Sequence, residues 1–283
     1  MLRRFLHHTR LRLRRSPRIL RALQWTGITR AGRGLYTRLL LRRGQHQVTL
    51  HGRRLSFAIS GEREIKRLDS MASEEPFVDR LLSCLQPGDV VYDIGANIGV
   101  ITVVVAASRP DVVIHAFEAE PQNAVRLRQN VDLNGLSARV TCHAIAVGSD
   151  DGIAELSIRG EVGVGTHSLV ARTNGDHRLV EVPVRAARSL AREHDSPTVV
   201  KVDVEGGEVG VLLGMEPLLA DHSVRELFIE LHPAALREQD WDVGRVSEWL
   251  ERRGYHEVWQ SERGTEIHRH YRATTVPMDP ISP

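Results

Sequence analysis

The sequence predicts an α/β fold in which a mostly parallel sheet is flanked by helices. Three observations carry that expectation. From residue 89 to 233, apolar β-rich runs alternate with stretches of helical spacing. Acids stand at the ends of three of those runs, at Asp93, Glu118 and Asp203. A glycine-bearing turn, Gly95-Ala96-Asn97-Ile98-Gly99, follows the first run at once. In open parallel sheets, ligands lie at the carboxyl ends of the strands, where the connectivity reverses direction.

The chain begins with a basic leader. Residues 1–45 carry 13 arginines and no acid, which leaves 25 basic against 36 acidic residues in the rest. The body is therefore acidic, and the overall charge of +2 does not point to a nucleic-acid partner. Leu2, Phe5, Leu11, Leu13, Ile19, Leu20 and Leu23 interleave with the arginines and Pro17 interrupts them, as in a broken amphipathic helix. Such a leader suits an anionic membrane surface or an acidic partner. Packing on the domain with a solvated arginine face is the plainer reading and is preferred. Arginines break the apolar run before a signal-peptide core forms, and no 18-residue apolar run predicts a membrane span. The expected location is cytoplasmic, with peripheral membrane association through residues 1–45 as the variant. Cys84 and Cys142 have no metal-ligand spacing and read as two free thiols of a reducing compartment.

Residues 47–59 alternate polar and apolar around Gly52, as a β-hairpin does, and residues 46–74 form an extension. Residues 73–85 have helical spacing, with Ser73 placed to cap and Pro87-Gly88 as the stop. The main domain spans 75–261. Its first strand is 89–95. Residues 100–109 are rich enough in β-branched side chains to suggest another strand. The run 112–118 must lie parallel to 89–95 to bring both acids to one edge, however, and a parallel neighbour needs a crossover. A helix over 99–109 follows. Residues 121–135 form an amphipathic helix with Val125, Leu127 and Val131 inward, and 139–148 form the third strand. A β-rich excursion with the glycine-rich loop EVGVGTHSL comes next. Residues 196–208 supply the fourth strand and its turn, 207–220 a helix, and 225–233 the fifth strand. A helix, a Gly254 cap and a further strand follow, and the C-terminal part, 262–283, reads as a strand with a polar tail, frayed from 262.

The turn is not a dinucleotide fingerprint: Asn97 stands where the second glycine of G-x-G-x-x-G belongs. A phosphate loop ending in Gly-Lys-Ser/Thr is absent from the sequence. Asp93 sits two residues before Gly95, where a carboxylate opposes a ligand with two phosphates by ~1–4 kcal/mol, depending on the local dielectric. The expected ligand has a cationic or zwitterionic head, and S-adenosylmethionine fits. Glu118 is placed to accept both hydrogen bonds of a ribose diol, a role shared with dinucleotide enzymes.

With these residues in place, the chain resembles the FkbM family of S-adenosylmethionine-dependent methyltransferases. The likeness lies in VVYDIGANIG with HAFEAEPQNAVRLRQNVDLNG, in HAIAVGSDDG, and in VKVDVEGGEVGVLLG with FIELHP, roughly from 75 to 255. The resemblance implies a class I methyltransferase fold, a Rossmann-like, mostly parallel sheet. It also implies that Asp93, Gly95, Asn97 and Gly99 hold the cofactor's amino-acid end, that Glu118 takes the ribose, and that Asp203 closes the site. Ala119 stands where the family usually has proline, and Gly207 where alanine is common; neither changes a role.

For the chemistry, methyl transfer to an alcohol needs a positioned nucleophile and removal of its proton. Asp203 and Glu205 share the i, i+2 spacing of a strand, and Glu230 and His232 repeat it at the next strand's end. One mechanism uses His232 or an acid as general base, with Asp203 at the cofactor. The other places Mg²⁺ on some of these groups, and the metal-free version is preferred because no dedicated metal spacing is present. Plainer readings make Glu205 a helix cap and His232 a satisfied residue before Pro233. His167, on the glycine-rich loop, is a minor candidate for a lid residue. The expected reaction is O-methylation of a hydroxyl on a sugar of a polysaccharide, glycolipid or glycosylated metabolite, with a small-molecule or glycan acceptor. The alternatives are an N-methyltransferase, an NAD(P)-dependent oxidoreductase, and a non-catalytic scaffold.

Overall fold

The structure is a computed structural model and describes residues 28–71, 74–158 and 178–274. Most of the basic leader, Ser73, His167 with its loop, and the last nine residues lie outside the described residues. Among the described residues, seven strands form one central sheet: β3 (Val90–Ile94), β4 (Val113–Phe117), β5 (Val140–His143), β9 (Val199–Val202), β10 (Glu226–Leu231), β11 (Tyr255–Arg263) and β12 (Glu266–Ala273). Their spatial order is β11-β12-β10-β9-β3-β4-β5. Pairing is parallel from β5 through β10, and β12 runs antiparallel to both of its neighbours. The chain moves outward from β3 to β5, then returns to place β9 on the other side of β3. That reversal between β3 and β9 opens a crevice at the strands' carboxyl ends.

The crossover predicted over 99–109 is present as helix α4 (Val100–Ser108). Its β-branched residues tolerate a helix because both flanks are packed: Val103, Val104 and Val105 are buried against the sheet and neighbouring helices. The remaining helices are α1 (Ile28–Arg43), α2 (Glu62–Ser70), α3 (Glu75–Cys84), α5 (Pro121–Leu133), α6 (Ala187–Glu193), α7 (Glu208–Gly214), α8 (Glu216–Ala220), α9 (Pro233–Arg237) and α10 (Val243–Glu251). Strand alternation sends successive residues to opposite faces, so Val91, Val199 and Phe228 enter one core while Tyr92, Val200 and Leu227 enter the other. The first core also takes up Leu40 of α1 and the hairpin of β1 (Gln45–Leu50) and β2 (Arg53–Ala58), which turns through His51 and Gly52, both at positive φ.

Four expectations are corrected. Val125 points outward, 58% exposed, and the inward stripe of α5 is Ala124, Leu127, Asn130 and Val131. Asn130 takes its inward place by binding the hairpin. Asn130 accepts from Ala58 N at 2.7 Å and donates to Ile98 O at 2.7 Å, while Asn134, just past the helix, pairs with both backbone groups of Ser56. The stretch 139–148 is two strands: β5 stays in the central sheet, and β6 (Ala146–Gly148) joins β7 (Gly152–Ile158) and β8 (Arg178–Ala186) in a small sheet ordered β6-β8-β7. The helix expected over 207–220 breaks into α7 and α8 at Met215-Glu216, just before Pro217. The tail is not frayed from 262: residues 266–273 form β12, wedged between β10 and β11, with Tyr271 and His270 fully buried. Alternation of charged and aromatic residues there hides a buried face whose polar groups find partners across the sheet.

Both cysteines are free thiols, with Cys84 buried. Among the described residues no helix is long and apolar enough to cross a membrane.

Candidate active site

A cavity of about 670 Å³, partly open to solvent, occupies the crevice at the ends of β3, β4 and β9. Ile94, Gly95 and Asn97 line it from the first strand and its turn, Phe117, Glu118 and Ala119 from β4, and Asp203, Val204, Glu205 and Gly207 from the β9 turn. The small sheet adds Ala146, Val147 and Leu156, next to Ile145, and α2 adds Arg67. Its lining mixes apolar side chains with the acids Glu118, Asp203 and Glu205 and the guanidinium of Arg67.

The turn is built for close approach. Gly95 has φ 77°, and a Cβ there would lie 1.8 Å from the Asp203 carbonyl oxygen. Gly99 has φ 83°, and its Cβ would sit 2.4 Å from Leu127 Cδ1. Asn97 adopts φ 52°, a left-handed conformation that asparagine tolerates, and its Oδ1 accepts from Ile98 N at 2.7 Å. Gly95 N and Ala96 N both donate to Phe117 O at 2.9 Å, which locks the turn to β4. Glu118 completes the lock: one oxygen accepts from Asn97 N at 2.7 Å and the other from Glu120 N at 2.9 Å. Burial pushes the Glu118 carboxyl up to about 7, with these backbone donors opposing the rise.

Asp93 is placed differently from the expectation. It is 2% exposed and is not among the residues lining the cavity. Its carboxylate pairs with Lys201 Nζ at 3.0 Å and accepts from the Thr102 hydroxyl. Lys201 also donates to Gly95 O at 2.8 Å and lies 3.7 Å from Asp203. Burial disfavours the ammonium, yet Asp93 and Asp203 outweigh it and hold the Lys201 pKa above its ordinary value. Asp93 therefore acts on the turn through Lys201, and its charge is balanced before any ligand arrives. The acids that line the cavity are Glu118, Asp203 and Glu205. Lys201 was legible: it is one of two lysines in the chain and shares a strand face with Asp203.

Asp203, Glu205, Glu230 and His232 do converge, but not through strand spacing. β9 ends at Val202, and Glu205 turns back with φ 51°. Glu205 does not cap the following helix; Glu208 accepts from Gly206 N at 2.8 Å instead. His232 Nδ1 lies 2.8 Å from the fully buried Glu208 carboxylate, and its Nε2 lies 3.4 Å from Glu205. Glu205, His232 and Glu208 thus form a carboxylate–imidazole–carboxylate array with Glu205 at the cavity wall. Burial, then the neighbouring Asp203, push the Glu205 carboxyl up to about 8. Burial opposes the imidazolium of His232, but Glu208 and the nearby acids raise it to about 9. Asp203 is also raised, by burial and then by Glu230. Glu230 itself is held down to about 2: burial opposes this, and the 2.7 Å contact with His268 prevails.

Among the described residues, three groups bring metal-ligating atoms within 4.8 Å of one another: Asp203–Glu205–His232, Glu230–His232–Glu266 and Cys84–Glu226–His270. The first two share His232, which Glu208 already holds through Nδ1 at 2.8 Å. In the third, Arg80 donates to His270 and Arg272 to Glu226, so cations already satisfy the cluster.

The cavity suits S-adenosylmethionine on its own donor set. Its lining offers apolar side chains, acids and a guanidinium, the kinds of group that a purine, a ribose and an amino-acid head would require. The family model for the FkbM methyltransferase domain matches residues 93–257. The 31-O-demethyl-FK506 methyltransferase FkbM of Streptomyces tacrolimicus is 29% identical over 218 residues, covering 65% of this chain and 80% of that protein. The hexuronic acid methyltransferase AglP of Haloferax volcanii is 29% identical over 184 residues, covering 62% of this chain and 70% of that one. Among solved structures, a precorrin-6y C5,15-methyltransferase from Geobacter metallireducens aligns with a TM-score of 0.43 at 15% identity, covering 70% of this chain and 87% of the other. With more than half of its length matched by the family model, the chain belongs to the FkbM family of S-adenosylmethionine-dependent methyltransferases.

Proposed function

We propose that the chain methylates a hydroxyl group, on a sugar of a polysaccharide, glycolipid or glycosylated metabolite. The observation that carries the reading is the Glu205–His232–Glu208 array, which meets the cavity at Glu205. An alcohol must lose its proton as it attacks, and a carboxyl with a pKa of about 8 is matched to that task near neutral pH. The two relatives support the acceptor class by name: one acts at an oxygen position and the other on a hexuronic acid. Family membership removes the oxidoreductase alternative.

When bound, S-adenosylmethionine supplies the electrophilic methyl group on its sulfonium. Gly95 and Asn97 present the turn to the donor's amino-acid end, Glu118 accepts from the ribose, and Asp203 faces the ammonium. Asp93 and Gly99 serve the same end from behind, through Lys201 and through the packing of the turn on α5. Glu205 takes the acceptor's proton. His232, held by Glu208, orients Glu205 and stabilises its charge.

The test is transfer of a labelled methyl group to a panel of glucuronides, glucosides and amino sugars, with the product linkage read by mass spectrometry. A methyl ether on a sugar hydroxyl, lost about 10²–10⁴-fold in Glu205→Gln, is expected. Methylation at nitrogen alone would overturn the acceptor reading.

A further inference from the structure

We infer that Arg67 binds the carboxylate of the methyl donor's amino-acid end, which makes the N-terminal hairpin and helix part of the donor site. The inference rests on the donor cavity assigned above. Arg67 lies on α2, outside the stretch matched by the family model, and among the described residues lining the cavity it is the one cationic side chain.

Gly95 packs on the Asp203 backbone, where a Cβ would lie 1.8 Å from the carbonyl oxygen, so the turn assigned to the donor's amino-acid end and Asp203 stand side by side. That end is a zwitterion that needs one acid and one base. Asp203 provides the acid. Arg67 is close enough for its charge to act on the Asp203 carboxyl. A guanidinium offers two parallel donors that match a carboxylate, and the gain is larger in a half-closed cavity than in water.

The helix is mounted for this purpose. Ile65 and Leu68 bury its apolar side. Glu64, almost fully buried, accepts from Gly61 N at 3.0 Å at the helix start and pairs with Arg126 at 3.1 Å. Arg126 belongs to α5, the helix that follows Glu118, and also donates to Ser60 at 3.0 Å. Arg67 is therefore positioned from the element that positions the ribose acid. A site on a fixed helix holds a ligand group more tightly than one on a loop.

Calorimetric titration of the full chain with S-adenosylhomocysteine and with methylthioadenosine separates the possibilities. The second ligand keeps the nucleoside and lacks the amino-acid end. Arg67→Gln is expected to weaken S-adenosylhomocysteine at least tenfold and to change methylthioadenosine less than twofold, with Arg67→Lys intermediate for the first ligand. Equal weakening of both ligands assigns Arg67 a structural role and overturns the inference. Unchanged affinity for both also overturns it and leaves Arg67 to an acidic acceptor or to the surface. Failure of the unaltered chain to bind S-adenosylhomocysteine at all sinks the cavity assignment itself, an outcome distinct from the other two.

Discussion

At the residue scale, Glu205 combines a φ of 51° with a half-buried, raised carboxyl, two conditions that cost stability and cluster at functional sites. Glu205→Gly should therefore hold or raise the melting temperature while turnover collapses. Its pH dependence has a definite sign. The folded pKa, about 8, exceeds the ordinary 4.5, so the proton bound on folding stabilises the chain below about 4.5 and that contribution is lost as pH rises to about 8. His232, raised from 6.5 to about 9, acts in the same direction between those values. Glu205→Gln should gain melting temperature relative to the parent as pH rises from 5 to 9. Activity should rise with pH through a limb near 8 that vanishes in that variant, and dialysis against EDTA should leave turnover unchanged. Loss of turnover restored by Mg²⁺ would instead assign Asp203, Glu205 and His232 to a cation. Lys201→Met leaves the Asp93 carboxylate buried without its partner, at about 3–5 kcal/mol by urea unfolding. Adding Asp93→Asn should recover most of that loss.

At the element scale, strands and crossovers were legible because the parallel sheet forces them. The β-branched run over 100–109 reads correctly as a helix only once the parallel register of β3 and β4 is considered. Local patterns failed where a tertiary partner set the face. Val125 reads as inward by apolarity, but Asn130 takes the core position because it satisfies Ala58 N and Ile98 O. Asn130→Ala orphans both groups and should cost about 1–3 kcal/mol for each, read by chemical denaturation. Because the hairpin precedes α2, that variant should also weaken donor binding. The burial of β12 inside the sheet was not legible because its alternation carries histidines and arginines whose partners lie on other strands, such as Glu226 and Glu230. Tyr271→Ala, in its buried middle, should destabilise by about 3–5 kcal/mol.

At the scale of the whole molecule, the turn, Glu118 and Asp203 were legible as one site because three strand ends meet at the switch between β3 and β9. Arg67 was not legible, since nothing in its local sequence marks it; only the packing of the extension on α5 brings it to the cavity. Asp93 was read as facing the ligand, and its balance by Lys201 needed the sheet register. The charge divide between an arginine-rich leader and an acidic body remains a proposal about membrane attachment. Removing residues 1–27 should reduce sedimentation with anionic vesicles, and an unchanged fraction would retire that reading. The central claim is that the crevice at β3, β4 and β9 binds the methyl donor. Calorimetric titration of S-adenosylhomocysteine into the parent chain and Glu118→Ala tests it most directly. The account predicts one-to-one binding to the parent and at least a tenfold loss in the variant, whereas equal affinity in both would contradict it.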